Sequence, residues 1–180
     1  MSLRLVRGTV PREQGPCVVT IGAFDGLHVG HQALIARTLE CARQLQLPAV
    51  LLSFEPMPRE FLRPQDPPAR LTNLRERWRL LQTSGLDRLQ LLRFDDRLRV
   101  LSGLEFMELL RGFGARVVIV GHDFRFGRNA QASAAWCAAE AANFGYRVEI
   151  VPPVPVAEER ASSALVRSAL AAGDLGRAAA

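Results

Sequence analysis

Five short apolar runs, separated by stretches of helical or irregular pattern, are the feature that most restricts the fold of this chain. Runs of this length, bounded by glycine, proline or charged turns, are typical of buried β-strands. Because such strands alternate with amphipathic helices, the sequence predicts an α/β fold with a doubly wound sheet of five parallel strands. The predicted strands are residues 18–21, 49–54, 88–94, 116–120 and 146–151.

The segments between and after these runs contain five helical patterns and one long irregular stretch. The irregular stretch, residues 55–71, is rich in proline and follows the second strand. Long loops in compact domains commonly bind ligands, although a passive crossover that anchors apolar residues in the core is the alternative. The predicted helices are residues 32–45, about 73–84, 104–112, 133–143 and 165–172.

The length and the apolar content indicate a single folded unit. A chain of 180 residues, 48% of them hydrophobic, can form one well-packed core but not two of ordinary size, so we expect one domain over residues 1–180. Neither a signal peptide nor an apolar run of membrane-spanning length is present, which predicts a cytoplasmic protein without a membrane partner. The three scattered cysteines fit reduced thiols in that compartment.

The glycine-rich turn after the first predicted strand carries two histidines. His28 and His31 flank Gly30 at the start of a helical pattern. The first turn of a helix has unpaired backbone N–H groups and the positive end of the helix dipole, so this turn is suited to bind phosphate. A zinc site is a weaker alternative, because no third ligand is near in sequence. Packing of both histidines in the core is the other alternative.

The basic residues have an unusual composition. All 23 are arginine, and the formal net charge is +5. The arginine side chain matches the geometry of phosphate oxygens. However, the arginines alternate with acidic residues along helical faces, as in residues 75–79 and 93–97, rather than forming a block with aromatic residues. The pattern therefore does not favour nucleic acid as a partner.

Two further segments are candidates for ligand binding. Residues 121–127, G-H-D-F-R-F-G, follow the fourth predicted strand, at the edge where open α/β sheets bind ligands. The aromatic residues of this segment could contact a heteroaromatic ring, or they could close the core. Ser162 and Ser163 precede the last predicted helix, with Arg160 and Arg167 on either side. This second helix start could bind an anion, or it could be an ordinary cap with solvated arginines.

Taken together, these strings resemble a known family. The string G-A-F-D-G-L-H-V-G-H-Q at residues 22–32 resembles the H-x-G-H signature of the nucleotidyltransferase superfamily. In its longer form it resembles the FMN adenylyltransferase (FAD synthetase) module of bacterial bifunctional riboflavin kinase/FAD synthetases. Four more strings agree in the same order: S-F-E-P-M-P-R-E-F at 53–61, R-L-T at 70–72, G-H-D-F-R-F-G at 121–127 and S-S-x-x-V-R at 162–167.

The resemblance implies a Rossmann-like fold of the nucleotidyltransferase type and a reaction. AMP would pass from MgATP to FMN, giving FAD and pyrophosphate, with Mg²⁺ on the ATP phosphates and no metal ligand from the protein. A riboflavin kinase domain would follow in the parent chain. The implied catalytic residues are His28, His31, Ser163 and Arg167; the implied ATP-binding residues are Gly22, Phe24, Asp25, Gly30, Arg160 and Ser162; the implied FMN-binding residues are Phe54, Pro56, Phe61, Asp123 and Phe126.

The chain also departs from the family pattern, and two alternatives to the implied activity stay open. Ala130, Ala132 and Ala164 stand where the family usually has arginine, glycine and threonine. One alternative is therefore a flavin- or nucleotide-binding module with little turnover. The other is a different H-x-G-H transferase, acting on pantetheine phosphate or a nicotinate nucleotide. The absence of lysine argues against the class I aminoacyl-tRNA synthetases, whose H-x-G-H is paired with a lysine-bearing loop.

Overall fold

The computed structural model describes residues 3–8, 15–156 and 159–179, except for the side chains of residues 156, 159 and 160. Ten strands occur in these residues. They are β1 (Arg4–Arg7), β2 (Cys17–Ile21), β3 (Ala49–Phe54), β4 (Arg88–Leu92), β5 (Ala115–Gly121), β6 (Arg125–Phe126), β7 (Ala132–Ser133), β8 (Arg147–Val151), β9 (Pro155–Val156) and β10 (Glu159–Arg160).

The same residues form eight α-helices, and most of the helices longer than one turn follow a strand. They are α1 (Val29–Leu45), α2 (Pro58–Leu62), α3 (Leu74–Gln82), α4 (Asp96–Arg99), α5 (Gly103–Gly112), α6 (Ala134–Glu140), α7 (Ser163–Ala171) and α8 (Leu175–Ala179). Short 3₁₀ helices occupy Arg128–Ala130 and Ala141–Phe144. None of the helices in the described part of the chain is long and apolar enough to cross a membrane.

Six of the strands form one parallel sheet in the order β1-β4-β3-β2-β5-β8. Strands β2 and β3 are buried along their whole length, as expected for the centre of a parallel sheet. From β2 the chain proceeds through β3 to β4 on one side, and then returns to place β5 on the other side of β2. The carboxyl ends of β2 and β5 therefore meet at the topological switch point of the sheet.

The α/β, doubly wound fold is confirmed, but the sheet has six strands rather than the predicted five. The additional strand, β1, lies at the edge and pairs with β4, with Arg4 opposite Arg88. Its residues Arg4, Leu5 and Arg7 are exposed and Val6 is partly exposed, so its apolar pattern is weak. The other five strands lie where they were predicted, although β4 ends at Leu92 instead of residue 94.

Helices cover both faces of the sheet and enclose two hydrophobic cores. Ile35 and Cys41 of α1 and Leu81 of α3 pack with Val18 on one face. Phe106 and Met107 of α5 and Cys137 of α6 pack on the other face. All three cysteines are buried and free. The five predicted helices are present, and the irregular segments 55–71 and 95–102 also contain the short helices α2 and α4.

Helix α1 begins at Val29, three residues before the predicted start at residue 32. His28 is consequently the residue that precedes the helix, and His31 lies in its first turn. The earlier start brings both histidines close to the carboxyl end of β2.

Candidate functional site

A cavity of about 400 Å³ opens at the carboxyl edge of the sheet. It lies between the ends of β2, β5 and β8, the start of α1, the segment around α2 and the start of α7. Open α/β sheets bind ligands at this position. The predicted site residues that line the cavity are Gly22, Asp25, His28, Gly30, His31, Asp123, Ser162, Ser163 and Arg167.

The two histidines form a stacked pair at the base of this cavity. Their ring centroids are 3.8 Å apart and their planes differ by 25°. Phe24 packs against the other side of the pair, with its ring centroid 4.9 Å from that of His31. Phe24 is fully buried and does not line the cavity, so the expectation that it contacts the nucleotide directly is corrected. Its backbone has a φ of +52°, which turns the side chain under the histidines.

His31 is uncharged at neutral pH. Burial, together with the neighbouring His28, lowers the pKa of His31 from 6.5 to about 3. Its Nδ1 atom is buried and accepts or donates no hydrogen bond within the described residues. An anion in the cavity would stabilise the protonated imidazole and raise this pKa. The site therefore combines a buried polar ring with an opening into a ligand-sized cavity.

We expect the low pKa of His31 to make the protein less stable in mild acid. The unfolded chain takes up a proton at His31 near pH 6.5, whereas the folded chain does so only near pH 3, so stability falls as the pH decreases through this window. Between pH 7.5 and 5.5 the wild type should lose about 1 kcal/mol more than His31→Asn. Urea unfolding at both pH values measures the difference, and equal losses in the two proteins would contradict the low pKa.

Two glycines of the turn are required by close packing. A Cβ atom on Gly30 would lie 3.2 Å from the His28 ring, so a larger residue would displace this histidine. Gly26 has a φ of +83°, and a Cβ atom there would lie 2.7 Å from the side chain of Leu71. The turn therefore fits tightly against both the imidazole and the segment that follows the proline-rich loop.

Asp25 lies beside the histidine pair, and its carboxylate is occupied by protein groups. The residue is only 1% exposed. The carboxylate accepts hydrogen bonds from the Leu71 N–H at 3.0 Å, from the Thr72 N–H at 2.9 Å and from the Thr72 hydroxyl at 3.2 Å. It also forms an ion pair with Arg167. Asp25 lines the cavity as expected, but its oxygens hold neighbouring segments and have little capacity left for a ligand.

The start of α7 faces the same cavity. The Ser162 hydroxyl caps the helix by accepting from the Leu165 N–H at 3.2 Å, and the Ser163 hydroxyl donates to the Asp25 carbonyl at 2.9 Å. Arg167 donates through Nε to the Ala69 carbonyl at 2.6 Å and through Nη2 to Asp25 at 2.5 Å. Its Nη1 makes no hydrogen bond with the described residues, so one edge of the guanidinium remains to bind a ligand.

Arg160, the other predicted cation at this helix, belongs to β10 through its backbone. Its side chain lies outside the described part of the chain.

The predicted aromatic contacts on the second side of the cavity need correction. Phe126 is 7% exposed and packs in the core against Phe106 and Trp136, at centroid distances of 5.3 and 6.1 Å. Phe124 lines the cavity instead and stacks on Phe126 at 5.3 Å. One of the two aromatic residues therefore closes the core while the other faces the ligand space.

The residues of the proline-rich segment that were predicted to contact FMN also lie away from the cavity. Phe54 is buried, and both Phe54 and Phe61 pack on Phe94, with centroid distances of 5.9 and 5.6 Å. Neither of these residues lines the cavity, because the edge-to-face aromatic contacts hold their rings on the core side. Pro56 does not line the cavity either. Met57, an apolar residue of the same loop, does line the cavity. The sequence pattern did not single out the other lining residues of this segment and of the β8 end, which include Pro58, Arg59, Pro68 and Pro153.

Arg77 is a structural residue of the site that the charge pattern did not reveal. The sequence placed it on an exposed, charged helical face, but it is 0% exposed. Its guanidinium donates to the Ala23 carbonyl at 2.7 Å and to Glu55 at 3.1 Å. The spacing of Leu74, Arg77 and Leu81 on α3 is a signal that could have placed it on the inward face.

Metal-binding groups are sparse around the cavity. No cluster of three or more His, Cys, Asp or Glu side chains that could hold a metal ion occurs in the part of the chain that the structure describes. Asp25 and Glu60, two carboxylates of the lining, are paired with Arg167 and Arg70. A cation would thus have to be bound mainly by its own ligand and by water.

Comparison with known proteins gives consistent results. The family model described as FAD synthetase matches residues 10–165. The chain is 42% identical over 176 residues to a bifunctional riboflavin kinase/FMN adenylyltransferase from Pseudomonas fluorescens, and 35% identical over 178 residues to one from Escherichia coli K12. Each alignment covers 96% of this chain but only 56% and 57% of the relatives, so the chain spans little more than half of their length.

A solved structure also has the same fold. The crystal structure described as a macrolide-efflux protein from Streptococcus pneumoniae superposes with a TM-score of 0.85 and 28% sequence identity. The superposition covers 99% of this chain and 59% of that chain.

Proposed function

Since the chain belongs to the FAD synthetase family, we propose that it transfers AMP from ATP to FMN, giving FAD and pyrophosphate. The observation that carries this proposal is the shared cavity of the stacked His28–His31 pair and the start of α7. Two helix starts with polar side chains at one sheet edge are suited to hold a triphosphate. The rest of the cavity has apolar lining residues that suit a second, ring-bearing substrate.

The reaction needs positioning and charge stabilisation rather than a covalent intermediate. The FMN phosphate is an oxyanion at neutral pH and can attack the α-phosphorus of ATP directly, with pyrophosphate as the leaving group. His28 and His31 bind the phosphate oxygens on which negative charge develops. Arg167, held by Asp25 and Ala69, presents its remaining Nη1 edge to the far end of the triphosphate.

Mg²⁺ is expected to enter with ATP, and the residues of the site are compatible with this role. When bound, Mg²⁺ neutralises phosphate charge and keeps mostly water and phosphate oxygens as ligands. The paired carboxylates of Asp25 and Glu60 fit a site in which the protein supplies few metal ligands. Gly22 and Gly30 also line the cavity, and a Cβ atom at either position would press on a ring beside it, that of Phe24 at 3.1 Å or that of His28 at 3.2 Å.

FMN is expected to lie between the end of β5 and the segment around α2. Phe124 and Asp123 line one wall of this space, and Met57 and Pro58 line the other. An aromatic side chain beside apolar residues suits the isoalloxazine ring. Glu60 is held by Arg70, which keeps α2 close to the cavity.

We expect Phe124→Ala to weaken FMN binding by about 1 to 2 kcal/mol and to leave ATP affinity unchanged, because it removes an aromatic contact from the flavin side alone. Isothermal titration calorimetry with each ligand measures both effects. Phe126→Ala is the matched comparison, since it deletes a ring from the core and should lower stability by about 3 kcal/mol. Equal losses of FMN and ATP affinity in Phe124→Ala would contradict this placement of the flavin.

The direct test of the function is incubation of the purified protein with ATP, Mg²⁺ and FMN, followed by chromatography. We expect FAD and pyrophosphate in equal amounts. Binding of both ligands without FAD would instead identify a module with little turnover, an alternative that the departures at Ala130, Ala132 and Ala164 raise. Product from pantetheine phosphate or nicotinate mononucleotide, and none from FMN, would identify a different transferase of the same fold.

The relatives in Pseudomonas fluorescens and Escherichia coli K12 are named as bifunctional enzymes that also have riboflavin kinase activity. We infer that the parent chain includes a riboflavin kinase domain, which would supply FMN to this site. Residues 1–180 would then be the adenylyltransferase domain, a cytoplasmic unit whose ligands are small molecules rather than nucleic acid.

A further inference from the structure

We propose that the buried carboxylate of Asp25 couples the two sides of the cavity, so that ATP bound at α7 increases the affinity for FMN. This inference rests on the proposed function for the identity of the two ligands. In it, Asp25 is a positioning residue that acts through the segments it connects.

The first connection is to the end of the proline-rich segment. The Asp25 carboxylate accepts from the backbone N–H groups of Leu71 and Thr72. The Thr72 hydroxyl donates to the same carboxylate at 3.2 Å, and it also accepts from the Gly26 N–H at 3.2 Å. Segment 69–72 is thus fixed to the histidine-bearing turn by several hydrogen bonds to one residue and its neighbour.

The second connection is to α7. Arg167 forms an ion pair with Asp25, and the Ser163 hydroxyl donates to the Asp25 carbonyl. Arg167 also donates to the Ala69 carbonyl, so the same guanidinium contacts the turn and the proline-rich segment. These contacts join three chain segments that are far apart in sequence around a carboxylate that is 1% exposed.

From segment 69–72, the contacts continue to the opposite wall of the cavity. Arg70 forms ion pairs with Glu60 of α2 at 2.5 Å and with Glu55 at 2.6 Å. Glu60 and the adjacent Arg59 and Pro58 line the cavity on the side that we assign to FMN. A continuous series of contacts therefore leads from Arg167 through Asp25 and segment 69–72 to α2.

We expect each ligand to increase the affinity for the other, because both ligands order the same group of residues. A triphosphate bound to the Nη1 edge of Arg167 immobilises its guanidinium, which in turn holds Ala69 and Asp25 in place. FMN then binds to a wall that is already ordered and loses less conformational entropy. Because coupling is reciprocal, FMN must increase the affinity for ATP by the same factor.

The test is calorimetric titration of FMN into the protein with and without Mg²⁺ and α,β-methylene ATP. In the wild type we expect the ATP analogue to increase FMN affinity at least about fivefold. In Asp25→Asn, which keeps the shape and one acceptor oxygen but removes the charge that holds Arg167, we expect a change of less than about twofold. Glu108→Gln, which removes a surface ion pair on α5, should retain the wild-type factor. A fivefold effect that persists in Asp25→Asn, or one that is absent from the wild type, would overturn the proposal.

A second variant covers the case in which Asp25→Asn does not fold. Thr72→Val removes the hydroxyl that bridges Gly26 and Asp25 and leaves the Asp25–Arg167 pair in place. In this variant the ATP analogue should increase FMN affinity by a factor between those of the wild type and Asp25→Asn. A factor equal to that of the wild type would count against the connection through Thr72.

The binding measurement is independent of turnover. A wild type that couples the two ligands but forms no FAD would refute the proposed function alone, and one that forms FAD without coupling would refute this inference alone.

Discussion

His31→Ala is expected to lower kcat for FAD formation at least about a hundredfold, which is the typical effect of removing one oxyanion-stabilising donor. The FMN dissociation constant should change less than twofold, because the ring lies between Phe24 and His28, at the end of the cavity that we assign to the ATP phosphates. The loss should therefore fall on kcat and on kcat/KM for ATP. Steady-state kinetics with each substrate varied in turn, together with calorimetry for FMN, measures both quantities.

The matched variant is His31→Asn, whose amide is a shorter, uncharged hydrogen-bond donor. It should recover part of the activity lost in His31→Ala, whereas a purely packing role would make both variants alike. Circular dichroism of the two proteins controls for folding. Near-normal kcat in His31→Ala, with an intact fold, would show that the imidazole does not stabilise the leaving pyrophosphate.

The position of the site followed from the sequence because the order of strands and helices determines it. The apolar runs at residues 18–21 and 116–120 predicted strands, and these strands lie next to each other at the switch point of the sheet. The motifs that come directly after them, the histidine turn and residues 121–127, had to meet at the same edge. The second helix start, at Ser162, also faces the cavity.

Which aromatic ring of residues 121–127 lines the cavity could not be predicted from the same pattern. Phe124 and Phe126 are only two positions apart, and Phe124 precedes the two-residue strand β6, so no strand or helix period assigns its ring to a face. Their exposure differs because Phe106 and Trp136, on two different helices, enclose only Phe126. This selection depends on tertiary packing, which a sequence period does not describe.

Composition and charge pattern also did not predict the structural roles of the arginines. Charge alternation is typical of a solvated helical face, yet Arg77 is buried and Arg167 is bound on two sides by protein acceptors. A guanidinium has five N–H groups, so one arginine can satisfy several carbonyl and carboxylate oxygens at once. In this chain that property serves to hold the loops of the site.

The second large effect that we expect is a loss of stability when Arg77 is replaced. Its guanidinium donates to the Ala23 carbonyl and to Glu55, and more weakly to the Ser53 hydroxyl and the Phe54 carbonyl, so it fixes the histidine turn to the end of β3. Arg77→Met would keep the apolar volume of the side chain but leave these acceptors without their donor. We expect the free energy of unfolding to fall by about 3 kcal/mol, as for other variants that break a buried charge network.

Urea unfolding followed by circular dichroism measures this loss, and Arg75→Met on the exposed face of the same helix is the control. Arg75 has the same side chain two positions away, so its replacement should change stability by less than about 0.5 kcal/mol. The comparison separates the buried hydrogen bonds of Arg77 from the helix propensity and net charge that both substitutions alter equally. Equal stabilities of the two variants would mean that the acceptors around Arg77 find other donors, and that the histidine turn is held by the Asp25 contacts alone.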